Sequence, residues 1–316
     1  RHEVFEKLYQ ASQKGFDLEA GLKRMQRQNS HNLAISQALL ELYFRRADNS
    51  RLQEVGEIVS NSRGSLDNVF YERLNQEALL QPEEFHFAIT RMVMKARADS
   101  GLALRLAMLL LEMGSNNHLW RNDAYKEAKD IAGRQKISDA YLKTSLLIEL
   151  AQYALDEFHD PRSAHEFLDA ILQSELRKAT PELSIKAAII KAKTMTFQEN
   201  YDQALDLLKQ NEAIIEEANQ DIFAANPISE SDFSAQIHLE RARTYAHQAD
   251  YQKSLLELKI ILDDYSESEW VNDALTLANF ITRRSSGNFS LLNTALKVER
   301  LTMAGKYQAA EDELNQ

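Results

Sequence analysis

One short phrase, written three times, constrains this fold more than any other feature of the chain. It reads MTFQENYDQALDLLKQ from Met195, YAHQADYQKSLLELKIILDDY from Tyr245 and LTMAGKYQAAEDEL from Leu301. In each copy a first helical segment carries a small or apolar residue: Ala192, Ala242 and Val298. A larger residue follows three positions on: Met195, Tyr245 and Leu301. Then comes a turn in which Asn200, Asp250 or Lys306 directly precedes Tyr201, Tyr251 or Tyr307. A second segment has Ala204, Ser254 or Ala310, followed four residues later by Leu208, Leu258 or Leu314. A looser copy, AQYALDEFHDPRSAHEFL, puts Pro161 in place of the aromatic and continues with Ala164 and Leu168.

The physical content of the phrase is two helices that cross closely. A small side chain on each lets the backbones approach to about 8–10 Å. The aromatic at the turn is placed to plug the end of the pair. A hairpin of this kind is apolar on both faces, so it must bury itself against a neighbour.

The rest of the chain agrees with helices. Apolar residues recur three and four apart, as in Val4, Leu8, Ala11 and in Leu33, Ile35, Leu39, Leu40, Tyr43. With Gly at 9 and Pro at 4, turn residues are scarce; average usage would give roughly 22 and 16. Breaks are expected near Gly15, Asn29, Asp48, Gly64, Pro82, Ser100, Gly114, Gly133, Asp160, Pro181, Asn200, Asn226, Asp250, Ser266, Gly287 and Gly305. Pro82 and Pro161 suit the first turn of a helix. Asp160, Ser266 and Thr180 are placed to cap helix starts. No stretch alternates apolar and polar residues long enough for a strand. The expected fold class is all-α.

The core of the phrase resembles the tetratricopeptide repeat. The G/D-Y-x-x-A-x-x-x-L pattern is met at Asp250-Tyr251, Asn200-Tyr201 and Gly305-Lys306-Tyr307. The resemblance covers 145–316 and is faint over 1–144, where KGFDLEAGL near Gly15 and Ala20 carries it. It implies an α-α superhelix, a right-handed solenoid of antiparallel helix pairs. On this reading 1–144 holds degenerate helical-hairpin repeats, 145–316 holds TPR-like repeats with a long loop near 218–232, and the whole is one continuous solenoid. Three departures stand out. Lys191, Arg241 and Lys297 occupy a position where the family often has Leu, and their stems are expected to cover apolar surface while the charges reach water. The copies are spaced by 50 and 56 residues, wider than the ~34 of the family. An additional helix, EWVNDALTLANFITRR, fills part of the difference. The segment LDDYSESEWVNDAL is also similar to repeats of bacterial envelope-assembly lipoproteins, with Ser266 where those commonly have Pro.

In the family the first helices line a concave binding face. Carried onto this chain, the resemblance implies three stripes: Glu149, Tyr153 and Asp156; Lys186, Ile189, Lys193 and Phe197; and Gln236, Leu239, Arg243 and His247. Tyr153, Lys186, Lys193, Phe197, Gln236, Arg243 and His247 are the expected partner-binding residues. Lys193 and Arg243 are the charged contacts; Tyr153 and Phe197 are the apolar anchors. Such a groove suits an extended peptide or a partner helix. The Lys/Asn arrangement by which some of these repeats clamp a peptide carboxylate does not line up. Trp120 and Trp270 are either anchors or half-buried packing residues.

Chemistry is sparsely represented. HExxH, the P-loop glycines, GxSxG and GxGxxG are all missing. Cys is 0, which removes disulfides, thiolate metal sites and Cys nucleophiles. His159 and His165 flank an expected turn, where solvation is favoured over a metal. The chain is therefore expected to be no enzyme, with no cofactor and no metal. A net charge of −11 opposes long-range attraction to nucleic acid; KRMQR at Lys23–Arg27 reads as a solvated helix face. The longest apolar run, LALRLAMLLLEM, is broken by Arg105, so direct membrane insertion is not expected. The leading expectation is a scaffold or adaptor for a protein or peptide partner. Two alternatives stay open. One is a cell-envelope assembly or secretion component, compatible with a periplasmic location somewhat more than a cytoplasmic one. The other is the regulatory arm of an enzyme whose catalytic domain lies elsewhere. Arg at position 1 and a final AEDELNQ inside a helical pattern suggest a processed piece of a longer protein.

Overall fold

The structure is a computed structural model. It describes 101–134, 139–220, 230–285 and 289–315, together with 17–28 and isolated positions between 9 and 93. The expected breaks near Gly15, Asn29, Asp48, Gly64, Pro82, Ser100, Asn226 and Gly287, and most of the 218–232 loop, lie outside the described residues.

Among the described residues every regular element is a helix. Contacts within the chain divide it into two compact units, Arg1–Leu150 and Ala151–Gln316. The first contains α1 (Leu18–Gln28), α2 (Gly101–Asn116), α3 (Arg121–Gly133) and most of α4 (Ala140–Asp156). There α2 packs along α3. Its core includes Leu104, Leu106, Leu109, Leu110 and Met113 from α2 and Ala124, Ala128 and Ile131 from α3. Trp120, ahead of α3, stacks on His86 with ring centroids 4.3 Å apart, which makes it a packing residue. In the basic stretch, Lys23 pairs with Glu19 at 3.1 Å, one turn away.

The second unit runs on through α5 (Pro161–Leu172), the short α6 (Leu176–Ala179), α7 (Pro181–Phe197) and α8 (Tyr201–Gln220). It continues through α9 (Glu230–His247), α10 (Tyr251–Asp264), α11 (Val271–Ser285), α12 (Phe289–Met303) and α13 (Tyr307–Leu314). Three hairpins, α7–α8, α9–α10 and α12–α13, correspond to the three copies of the phrase. The small residues lie where the helices cross: Ala192, Ala204, Ala242 and Ser254 are each 0 % exposed. The Ser254 hydroxyl donates to the Ala242 carbonyl at 2.8 Å, a contact that a larger residue at either position would prevent. Leu208 and Leu258 are buried as the second-helix leucines, whereas Leu314 is exposed. Neighbouring hairpins touch through α8 on α9 and through their first helices, α7 on α9.

The turns repeat more faithfully than the letters do. In each, one residue takes up the left-handed conformation just before the second helix: Glu199 (φ 66°), Ala249 (φ 61°) and Gly305 (φ 70°). The following amide reaches back to close the first helix: Asn200 to the Met195 carbonyl at 2.9 Å, Asp250 to Tyr245 at 2.9 Å, Lys306 to Leu301 at 2.8 Å. The left-handed residue's own amide also bonds back, to Thr196, Ala246 and Thr302. This pair of bonds satisfies the last carbonyls of a helix and favours Gly at the left-handed position. The looser copy uses the same device with one residue more: His159 has φ 49° and Asp160 bonds to Ala154 at 2.9 Å. Ala249 is exposed, so its Cβ brings strain without packing. Ala249→Gly is expected to raise stability by about 0.5–1 kcal/mol, and Ala246→Gly, inside the helix, to lower it by a similar amount. Urea unfolding followed by circular dichroism distinguishes the two.

Two expected caps take other roles. Thr180 does not cap α7; its hydroxyl and its amide both donate to the Leu176 carbonyl, at 2.8 and 2.9 Å, and close α6 instead. Pro181 does sit in the first turn of α7. Ser266 precedes a turn rather than a helix, since α11 starts only at Val271. Asp160 caps α5 as expected, accepting from the Arg162 and Ser163 amides at 3.1 Å each. Trp270 is half-buried against the core of α9, α10 and α11.

Candidate functional site

The face formed by the C-terminal halves of α7 and α9 is covered by the chain's own α12. This helix packs on both of them as well as on α11 and α13. Its apolar side is fixed by Leu292 and Leu296, four residues apart and therefore on one stripe. Both join the buried cluster that includes Ala235, Leu239, Ala242, Ala246, Ala274 and Ile281.

Polar contacts show how α12 runs. The Tyr251 hydroxyl bonds to the Asn293 side chain. Glu299 lies 3.6 Å from Nε2 of His247. Arg300 donates to the Tyr201 hydroxyl at 2.7 Å and pairs with Glu199 at 3.1 Å. Beyond the helix, Gly305 sits against His159, where an added Cβ would come within 3.1 Å of the His159 Cβ. Tyr307 meets the His159 ring edge-on at 5.3 Å. The α12–α13 segment thus visits the hairpin turns in reverse order of sequence, from Tyr251 through Tyr201 to His159. The three turn tyrosines, expected only to plug their own hairpins, all take part in these contacts.

The expected partner-binding residues fall into three groups. Lys193, Phe197, Arg243 and His247 lie at or beside α12. Lys193 and Phe197 line a small cleft with Leu155, Asp156, Pro161, Thr194, Gln198, Met303 and Ala304. Arg243 is held by Glu240, one turn back, and by Asp273 at 3.3 Å. The His247 ring is edge-on to Phe197 at 5.7 Å, its side chain is 4 % exposed, and its Nδ1 is buried with no hydrogen-bond partner. Burial, and then Arg300 and Arg243, push the His247 pKa down to about 4. Partial desolvation pushes the Glu299 carboxyl up, against the pull of Arg243 and Lys193, with Glu240 adding to the rise. Lys186 and Gln236, on the N-terminal halves of α7 and α9, are partly exposed. The third group is core: Tyr153 is 5 % exposed and packs on Phe158, and Ile189 and Leu239 are buried at 2 % and 0 %. Of the other two stripe members, Glu149 and Asp156 are exposed.

Sequence reasoning missed a set of ion pairs on the other side of the first helices. Lys191 reaches Asp169 of α5 at 2.5 Å. Arg241 reaches Glu212 of α8 at 3.0 Å and Glu257 of α10 at 2.8 Å. Lys297 reaches Glu313 of α13 at 2.5 Å. These are the three cations expected to extend into water. They stand in equivalent positions of the copies, and each ties its helix to another. Around Arg241 the pairing grows into a buried network, because His238 also bonds Glu257 at 2.7 Å and approaches Glu212 at 3.4 Å. The signal was present as a repeated cation, with Glu257 and Glu313 each 16 residues after Arg241 and Lys297, whereas Asp169 and Glu212 lie 22 and 29 residues before Lys191 and Arg241. Among the described residues no group of three or more His, Asp and Glu is arranged to hold a metal, and no helix is long and apolar enough to cross a membrane. Comparison with family models, with curated proteins and with solved structures finds no match to this chain.

Proposed function

We propose that this protein is a non-enzymatic scaffold of tetratricopeptide-like helical hairpins, stacked as a solenoid, that holds a protein partner on the face of its first helices. The observation that carries this reading is that the side of the first helices already accommodates a helix, α12, whose apolar stripe packs with α9, α10 and α11 and whose last turn meets α7. A surface of that composition recognises amphipathic helices. The thrice-repeated turn supports the repeat assignment on geometry rather than on letters. The net charge of −11 favours a protein partner over nucleic acid.

Site-specific photo-crosslinking tests the reading. A benzophenone side chain at position 186 or 236, on the face, is expected to trap the same partner from the native host. The same probe at Lys259, on the exposed side of α10, is expected to trap none. Equal labelling at all three positions, or labelling at 259 alone, overturns the assignment of the face.

A further inference from the structure

We propose that α12 is a replaceable occupant of the face, and that the partner is an amphipathic helix of another protein that takes its place. This partner would carry two apolar residues four apart and a carboxylate three further on, as in Leu292, Leu296 and Glu299. The inference rests on the scaffold reading and deepens it.

The argument is that α12 fits well at one end and poorly at the other. Leu292 and Leu296 are buried at 0 % and 7 %. Past Leu296 the fit degrades. His247 beneath the helix keeps a buried Nδ1 with no partner. Glu299 is the carboxylate aimed at this cationic corner, yet it stops 3.6 Å from His247, and just over half of its side chain (55 %) remains open. Met303 and Ala304 leave a cleft against Phe197, Lys193 and Asp156. A buried polar atom without a partner and an unfilled cleft are both costs that a better-matched ligand removes. The corner is also cationic, with Arg243 engaged by Glu240 and Asp273 and both Arg243 and Lys193 within electrostatic reach of Glu299. It favours an anion where α12 places one imperfectly. A helix seated closer at the position of Glu299 would bring its carboxylate within hydrogen-bond distance of His247 Nε2, and a bulkier apolar residue near the position of Met303 would fill the cleft. Between α11 and α12 the sequence reads Ser-Gly-Asn at 286–288, residues that suit a connection rather than a continued helix.

The test uses the full chain and a labelled synthetic peptide of the sequence 289–303, followed by fluorescence anisotropy. The chain's own helix is first weakened by Leu296→Ala with Arg300→Ala. The weakened chain is expected to bind the peptide at least tenfold more tightly than the unaltered chain. Adding Arg243→Glu to it is expected to cost at least tenfold, and a peptide with Glu299→Lys to bind at least tenfold more weakly. If Leu296→Ala disturbs folding by circular dichroism, Arg300→Ala with Asn293→Ala removes rim contacts alone and serves instead. No binding by the folded weakened chain, or binding indifferent to both charge changes, overturns the proposal. So does dimerisation of the weakened chain without peptide, which would make a second copy the occupant. Failure here with face-specific crosslinking intact removes only the replaceable helix. Loss of the crosslinking pattern removes the scaffold reading beneath it.

Discussion

Glu257→Ala is expected to lower stability by about 3–5 kcal/mol. The Glu257 side chain is 9 % exposed and serves two donors at once: Arg241 through Oε1 at 2.8 Å and His238 through Oε2 at 2.7 Å. Removing it strands a guanidinium and an imidazole in the space between α8, α9 and α10. Glu212 remains, but it already accepts from Arg241 at 3.0 Å and is the more exposed of the two acids. The cost is therefore that of a buried pair broken on one side, with Arg241 and His238 left to share the more exposed Glu212, and not that of one surface pair. Two comparisons check this by urea unfolding. Lys259→Ala breaks an exposed pair with Asp263 at 4.0 Å and is expected to change stability by less than about 0.5 kcal/mol. Replacing Glu257, Arg241 and His238 together by Leu or Met is expected to recover most of the loss, since apolar substitutes for a whole buried network are often neutral. A Glu257→Ala effect as small as that of Lys259→Ala would show that the network contributes nothing.

The network also marks the boundary of what could be read from the letters. Local pairing was legible because it is written locally. Ala192, Ala204, Ala242 and Ser254 recur at fixed spacing, and a helix crossing needs small residues at those points. The turns were legible in position, at Asn200, Asp250 and Gly305, though not in conformation. Glu199 and Ala249 occupy a left-handed slot that composition would assign to Gly. Lys191 and Arg241 were read as reaching water because a sequence lists charges without their distances. Ile189 and Leu239 were placed on the open face by steps of three and four, but such steps leave a rotation of tens of degrees open, enough to turn a side chain from groove to core. The return of α12 was the least legible feature. Its Leu292 and Leu296 stripe asks for burial somewhere, and nothing in the stripe says that the place is among α9, α10 and α11, or that Arg300 beside it meets Tyr201, 99 residues earlier.

Acidification is expected to weaken the second unit through His247, with a loss of about 3 kcal/mol accumulating from pH 6.5 to about pH 4. The sign follows from proton uptake. An unfolded chain protonates this imidazole near its ordinary value of 6.5, whereas the folded chain resists to about 4. Below pH 6.5 the unfolded state therefore binds more protons, stability falls as pH falls, and the loss levels off below the folded value. The groups facing the ring explain the resistance. Arg243, paired with Glu240, stands on its own helix, Arg300 on α12, and Phe197 of α7 packs edge-on against it, while the Glu299 carboxylate lies 3.6 Å away. Glu299 works in the opposite sense, because its folded value is raised and its protonation at lower pH favours the folded state. The two are separable by substitution. His247→Leu should cost little at pH 8, since Nδ1 has no partner to lose, and should flatten the profile between pH 6.5 and 4.5. Glu299→Gln should steepen the profile below pH 5. Thermal unfolding across pH 4–8, read by circular dichroism, reports both slopes. If α12 rests on His247, the anisotropy of a label on Leu291→Cys, an exposed position of α12, should fall over the same interval before the remaining helices unfold. A profile unchanged by His247→Leu would mean that the imidazole is solvated in the folded chain and that α12 does not cover it.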